Sequence, residues 1–390
     1  MPSIEPPPFG LSRRERILDE LRRSGSVRVA QLARDLGVAE LTVRRDIGAL
    51  ADRGLLTRVH GGATLRSRLD TSVPQTAGAT APRYRVGMVV PSLSYYWPHI
   101  AVGARAAADD GGVQLVLRGA SYDVADQRAQ IIRLLYSASL HGLIVAPETG
   151  GADGRALLQW LDQLPLPVVL AERRVPSTVP LTRLEWVSTD HVLGGALAAE
   201  HLAALGHRRV GVLSSRWSPT SAPLRRGWSR ALHDLGLEQT IDVDVEGSLD
   251  DLSADQREHR IGDLLDRCAA TGTTALLVHA DPQAVLVLQL ALDRGWRVPG
   301  DLAIVAYDDE VAAGAEPAIT ALRPPKQQVG RLAVETMIAR LAEGPARPVQ
   351  RTVLLPELQE RASTGAHAAT RAAPSGPLVV GGRADDRATG

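Results

Sequence analysis

The sequence predicts an α/β protein: a small helical head with a short β-element, then a large body of parallel strands and crossover helices. Three observations predict it. Between Arg83 and Ser363, short apolar runs such as YRVGMVV, VQLVL, GLIVAP, PVVLAE, RRVGVL, TALLVH and LAIVAY alternate with segments long enough for helices. Continuous apolar runs of this kind fit parallel strands covered on both faces. Residues 11–66 carry helical periodicity instead, and residues 67–82, SRLDTSVPQTAGATAP, have the Pro, Ser, Thr, Ala and Gly content of a linker. Residues 1–10 are rich in proline, and the tail from Thr364 to Gly390 is rich in Ala, Gly, Arg and Pro, so both ends read as disordered.

A length of 390 residues suits two or three domains, and 44% hydrophobic with 23% charged residues is ordinary for globular chains. No run of about 18 apolar residues appears, so no membrane span is expected. The opening MPSIEPPPFG lacks a basic-then-apolar export pattern. The single cysteine, Cys268, excludes an internal disulfide and a cysteine metal cluster. These points together predict a cytoplasmic protein with neither metal nor cofactor. Net charge is zero, yet residues 1–68 hold 13 Arg against 8 Asp and Glu, leaving 31 basic and 36 acidic residues beyond. A basic head on an acidic body is the footprint of a nucleic-acid-binding module joined to something else.

In the head, SRRERILDELRRSG reads as a helix with Ile17, Leu18 and Leu21 on one stripe, a possible Ser12–Glu15 capping box, and Gly25 at its end. VAQLARDLGV gives a second, short helix with Leu32, Ala33 and Leu36 inward and a tight turn at Gly37. AELTVRRDIGALADRG gives a third, whose Val43, Ile47 and Leu50 recur at helical spacing and must pack against the first two. Leu41, Thr42, Arg44 and Arg45 then point away or sideways. Arginine donates in bidentate fashion to guanine or holds phosphate, and a threonine hydroxyl serves either, so this face suits a major groove. LLTRVHGGATL follows as strand, Gly61–Gly62 turn and returning strand. That makes a wing on which Arg58 and His60 can reach phosphate or the minor groove.

From Arg13 to Leu65 the sequence resembles the DeoR family of repressors. Ala39, Thr42, Val43, Arg44, Arg45, Asp46 and Ile47 meet its signature, and Arg58 to Ala63 gives its RVHGGA wing. The resemblance implies DNA contact by Thr42, Arg44 and Arg45. At Ala39 a serine would cap the helix better, by about 1 kcal/mol.

Residues 84–363 resemble the effector domain of LacI-type repressors, which shares its fold with periplasmic sugar-binding proteins. VGMVVPSLSYYWP, HGLIVAPE, PVVLAERR, VSTDHVLGGALAAEHLAALGHRRVGVL, ADPQAVLVLQLALDRGWRVPGDLAIVAYDDE and ITALRPPKQQVGRLAVETMIARL occur in the family's order and spacing. The resemblance implies two Rossmann-like lobes with a ligand cleft between them, of the periplasmic-binding-protein-like type I kind, and dimerisation through those lobes. DeoR proteins usually carry a different body, so the chain reads as a hybrid. Residues 67–82 show nothing like the LacI hinge helix.

In an open α/β sheet the ligand sits beyond the carboxyl ends of the strands. Tyr95, Tyr96 and Trp97 follow the first strand in a chain only 3% aromatic, and offer faces to a sugar ring, while a place as core plugs fits one or two of them equally. Glu172 and Arg173 follow PVVLA, where a carboxylate accepts from and a guanidinium donates to hydroxyls; an ion pair accounts equally for Arg173. His279 and Asp281 follow TALLV, and Asp281 serves equally to cap a helix at Pro282. Asp308 and Asp309 follow LAIVAY. Asp308 matches the family's ligand-bonding aspartate, Asp309 reads as structural, and Asp190 as a cap for a helix at His191. The family often has a ligand-gripping arginine three residues before a Gly-aromatic pair. Here Gly227–Trp228 marks the place and Leu224 occupies the position, with Arg225 and Arg226 as nearby substitutes.

An enzyme is disfavoured: no phosphate-binding Gly-Lys loop, no Gly-x-Ser-x-Gly elbow and no His-Glu-x-x-His motif occurs, and His191, His201 and His207 lack metal-ligand spacing. A sugar-binding transport protein is the remaining alternative, and the DNA-binding head opposes it. The expected partners are an operator duplex, a sugar-like effector and a second copy of the chain.

Overall fold

The computed structural model describes residues 13–14, 16–18, 20–21, 26–52, 56–59, 62–64, 82–216, 218–245 and 253–365. The Ser12–Glu15 box, Gly25, His60, Gly61, nearly all of the linker and both termini up to Ser12 and beyond Gly365 lie outside these residues.

In the head, the described residues between Arg13 and Leu21 are helical. They precede strand β1 (Ser26–Arg28), helices α1 (Val29–Asp35) and α2 (Glu40–Asp52), and strands β2 (Thr57–Val59) and β3 (Gly62–Thr64). The expected stripes all point inward: Ile17, Leu18, Leu21, Leu32, Ala33, Leu36, Val43, Ile47 and Leu50 form one core. Gly37 takes φ +64°, the left-handed turn that separates α1 from α2. Asp46 turns inward and is 2% exposed, bonded to Arg13 at 2.5 Å and Arg14 at 2.9 Å. The first helix is thereby fastened to the inner side of α2, which leaves the outer side to the arginines. The wing hairpin is antiparallel, Arg58 opposite Ala63, and β1 pairs on the other side of β3. Three residues, SVR, are too few to show alternation, so β1 was not legible.

The body has two six-stranded sheets. The first runs β14 (Arg351–Leu354), β8 (Glu185–Thr189), β7 (Val168–Ala171), β6 (Gly142–Val145), β4 (Tyr84–Val90), β5 (Val113–Gly119), with every neighbour parallel. The second runs β10 (Glu238–Val245), β9 (Arg209–Ser215), β11 (Ala275–Val278), β12 (Ala303–Tyr307), β13 (Thr320–Arg323), β15 (Glu357–Gln359), parallel except for β15.

Each sheet is covered on both faces, which is why its strands read as unbroken apolar runs. In β12, Ala303, Val305 and Tyr307 join the core under α6 (His191–Ala204) and α7 (Ser221–Leu235). Ile304 and Ala306 join the core under α8 (Ala254–Thr271) and α9 (Asp281–Asp293). The first sheet lies likewise between α4 (Val124–Ser137) with α5 (Gly151–Asp162) and α3 (Trp97–Asp110) with α10 (Lys326–Glu343).

The chain crosses between lobes at β8–α6, β13–α10 and β14–β15. Asp190 caps α6 by accepting from Val192 and Leu193, as expected, and Asp123 caps α4 by accepting from Asp126. Helix pairs meet through glycine: a Cβ on Gly227 of α7 would lie 1.8 Å from the Val192 carbonyl oxygen of α6. The Gly-aromatic pair is thus a packing device, with Trp228 fully buried beside it.

Thr364, assigned to the tail by composition, belongs to the body. It is 5% exposed, and its hydroxyl meets His201 at 3.0 Å and Thr320 at 2.8 Å.

Candidate functional site

Two features stand out: an open helix face on the head and a cleft in the body. On α2, with Val43, Ile47 and Leu50 buried, Leu41 is 63% exposed, Arg44 and Arg45 are exposed and Thr42 is half-buried. Arg44 donates to Glu40 one turn back at 3.1 Å, a solvent-exposed pair of little energetic weight. Arg45 has no hydrogen bond or ion pair among the described residues. Arg58 lies in β2.

The cleft, of about 1700 Å³, opens where strands of both sheets end. Tyr95, Tyr96, Trp97, Glu172, His279 and Asp308 all line it. Three of these residues sit in left-handed backbone: Tyr95 at φ 55°, Glu172 at 56° and Asp308 at 106°, with Asp309 at 54° beside them. Such conformations cost about 1–3 kcal/mol each for a non-glycine residue and persist where the surroundings impose them, commonly at ligand sites.

Polar contacts join the parts. The Tyr95 hydroxyl donates across the cleft to Asp308 at 3.1 Å, and that of Tyr96 to Glu172 at 2.8 Å. Lys326 donates to the Asp308 carbonyl, pairs with Glu310 at 2.8 Å and lies 5.2 Å from the Tyr96 ring. Glu172 accepts from the Thr189 amide at 2.9 Å and hydroxyl at 2.7 Å, with His191 3.6 Å away. Burial pushes the Glu172 carboxyl up, but hydrogen bonding and charge from His191 and the bonds from Thr189 outweigh it and hold it at about 2. Burial, followed by the charge of His191, lowers His279 to about 3, so its ring is neutral. Burial, with the charge of Asp281 behind it, holds Asp308 well above the usual carboxyl range, and that favours its protonated form. The inner cleft thus offers one carboxyl held low, one carboxyl held high, a neutral imidazole and three aromatic side chains. That set donates to and accepts from hydroxyls beside apolar ring faces.

A carboxyl held low in the folded state adds stability above its unfolded value near 4.5, and the addition is lost as pH falls toward 2. Glu172→Gln should therefore lose up to about 3 kcal/mol at pH 7 and flatten the acid side of the stability curve, as read from urea midpoints at pH 7 and pH 3.

Three expected ligand residues are not in the cleft. Asp281 is fully buried, and its carboxylate accepts from the backbone amides of Asp309, Glu310, Val311 and Ala312. It neither touches ligand space nor caps its own helix; it ties down the loop behind Asp308. Burial drives it up to about 6 against the pull of those four amides. Arg225 bonds Ser214 and Asp242 beside its own helix, and Arg226 faces solvent; neither lines the cleft. Leu224 is core. Asp309 is structural as expected, paired with Arg323 at 2.6 Å and Arg361 at 2.7 Å.

The site holds more than the sequence singled out. Tyr122, Arg128, Glu148 and His191 also line the cleft, as does Arg173, which the sequence left open between ligand and ion pair. Tyr122 and Glu148 follow strand ends at β5 and β6 and were open to the rule that found the others. His191, at the start of a helix, was read only as the residue after a cap.

Family models match two parts of the chain: a DeoR-like helix-turn-helix domain at residues 13–68 and a periplasmic binding protein-like domain at residues 199–364. The arabinose metabolism transcriptional repressor of Geobacillus stearothermophilus is 27% identical over 86% of this chain and 90% of its own length. The ribose operon repressor of Escherichia coli is 27% identical over 72% and 82% respectively. Among solved structures, the transcriptional regulator CelR–cellobiose complex aligns at TM-score 0.61 and 25% identity, over 83% of this chain and 90% of that one. The lac repressor dimer bound to operator aligns at TM-score 0.61 and 23% identity over 75% and 97%, a likeness of fold. No described helix is long and apolar enough to cross a membrane. The chain thus joins a DeoR-like helix-turn-helix domain to a periplasmic binding protein-like domain, and over most of its length it is similar to transcriptional repressors and LacI family regulators.

Proposed function

We propose that the protein represses carbohydrate-metabolism genes by holding an operator through the outer face of α2, and lets go when a sugar-like effector closes the cleft. The observation that carries this reading is the pairing of an outward arginine face on a DeoR-like head with an aromatic, polar-lined cleft in the body. Leu41, Thr42, Arg44 and Arg45 enter the major groove, and Arg58 and His60 on the wing reach the backbone or minor groove. A homodimer in the cytoplasm presents two heads to two half-sites, and closure of the cleft changes their spacing. Relatives named as arabinose and ribose repressors support the carbohydrate assignment.

The test is duplex binding by fluorescence anisotropy, using DNA from the protein's own locus at several salt concentrations. Arg45→Ala is expected to lose about 1–3 kcal/mol of operator affinity while its thermal stability and sugar response stay at wild-type values. Unchanged operator affinity would remove α2 from the interface.

A further inference from the structure

We infer that the head docks on the rim of the cleft, and that Leu93 is the contact through which effector occupancy reaches the operator face. The inference rests on the reading of the cleft as an effector site. Leu93 lies in the loop between β4, which ends at Val90, and α3, which begins at Trp97. It is half-buried and packs against two cores at once. One lies beneath α3 and α10 in the first lobe. The other is the head's own, built from residues such as Ile17, Leu21, Leu32, Val43 and Leu50. Among the described residues, Leu93 is the one apolar residue beyond the linker that joins the head's core. The chain is long enough for this: β4 leads about 23 Å from the end of the linker to the loop, and residues 67–82 reach about 50 Å when extended.

The same loop belongs to the cleft. Ser92, Ser94, Tyr95, Tyr96 and Trp97 line it on either side of Leu93. The Ser94 amide donates to the Ser92 hydroxyl at 3.1 Å, and the two hydroxyls lie 2.8 Å apart. Tyr95, at φ 55°, is held by its bond to Asp308, and Tyr96 by its bond to Glu172. Those two carboxyls are also the groups that an effector rich in hydroxyls engages. An effector that takes them from the tyrosines removes the bonds that set the loop, and with them the seat on which Leu93 meets the head. A ligand shifts an equilibrium only through interactions that differ between its two states, and this exchange of partners is such a difference.

Docking leaves the operator face open: Leu41 is 63% exposed, and Arg44 and Arg45 are exposed. A docked head therefore meets DNA at a spacing fixed by the body. A head released to its linker loses that preorganisation and holds an operator of two half-sites more weakly. Residues 67–82 carry nothing like the LacI hinge helix, and the Leu93 contact supplies a route in its place.

The experiment uses the full chain, a duplex from its own locus, and arabinose, ribose and cellobiose as probes. A sugar that raises the melting temperature of the wild type should weaken its duplex binding about tenfold, and the duplex should weaken sugar binding by the same factor. Leu93→Ser without sugar should bind the duplex about as weakly as the sugar-loaded wild type does, and added sugar should change that by less than about twofold. The variant should bind the sugar at least as tightly as the wild type, because no docking contact has to be broken first. Loss of a merely structural leucine would weaken sugar binding instead. Leu93→Met, which keeps an apolar side chain of similar volume, should keep the wild-type coupling. Amide hydrogen exchange reads docking with no substitution: exchange across the head should quicken as sugar saturates the wild type. Wild-type coupling in Leu93→Ser, or head exchange indifferent to a sugar that releases the duplex, overturns the docking inference and leaves the regulator reading intact. A wild type that none of the three sugars releases from the duplex overturns both.

Discussion

Asp281→Asn should unfold about 4 kcal/mol more readily than the wild type, the largest loss expected from any change that keeps side-chain volume. The wild-type carboxylate accepts from four successive backbone amides, Asp309 to Ala312. One carboxylate oxygen, Oδ2, takes three of them and Oδ1 takes the fourth, from Asp309; an asparagine oxygen in the first place keeps the three without the charge that strengthens them, and its NH2 then faces the Asp309 amide. Each buried N–H left without an acceptor costs about 1–3 kcal/mol. The loop concerned follows Asp308 directly, so effector response should fall as well. Urea unfolding gives the first quantity, and sugar-dependent thermal shift gives the second. A midpoint within error of the wild type would mean that water or a shifted loop replaces the carboxylate.

Gly227→Ala should be nearly as damaging, at about 3 kcal/mol, although it adds a single methyl group. The new Cβ would stand 1.8 Å from the Val192 carbonyl oxygen, and that neighbour is helix backbone rather than a yielding side chain. Helices α6 and α7 must move apart, opening the core that contains Trp228, Leu224 and Tyr307. Gly314→Ala is the control: its Cβ meets nothing within 4 Å, and a change within about 0.5 kcal/mol is expected. Equal stability of the two variants would show that the helix contact is loose.

These two positions also mark how far the sequence could be read. The head was legible because three periodic stripes converge on one small core, and the spacing of Val43, Ile47 and Leu50 turned Arg44 and Arg45 outward. The named strand runs were legible because both faces of each sheet are covered. Edge strands β10 and β14 are half-exposed and alternate, so they gave no apolar run. Cleft residues were found where they follow strand ends. The rule failed at Asp281, because a carboxylate beside a strand end can serve a neighbouring loop instead of a ligand, and only the fold brings residues 309–312 within its reach. It failed at Arg225 and Arg226 because proximity in sequence to a buried glycine contact places neither on the cleft side. Arg173 was left open between ligand and ion pair, a choice that depends on which carboxylates lie nearby.

One titration tests the regulator reading most directly: the anisotropy of a labelled operator duplex bound to the wild type, followed as a stabilising sugar is added, beside the same titration on Asp308→Ala. The wild type should release the duplex as the sugar saturates. Asp308→Ala should bind the duplex equally well and release it only at sugar concentrations about tenfold higher or more, the loss of a hydrogen bond to a buried group. Identical release curves for the two proteins, or a wild type that ignores duplexes from its own locus even at low salt, would contradict it.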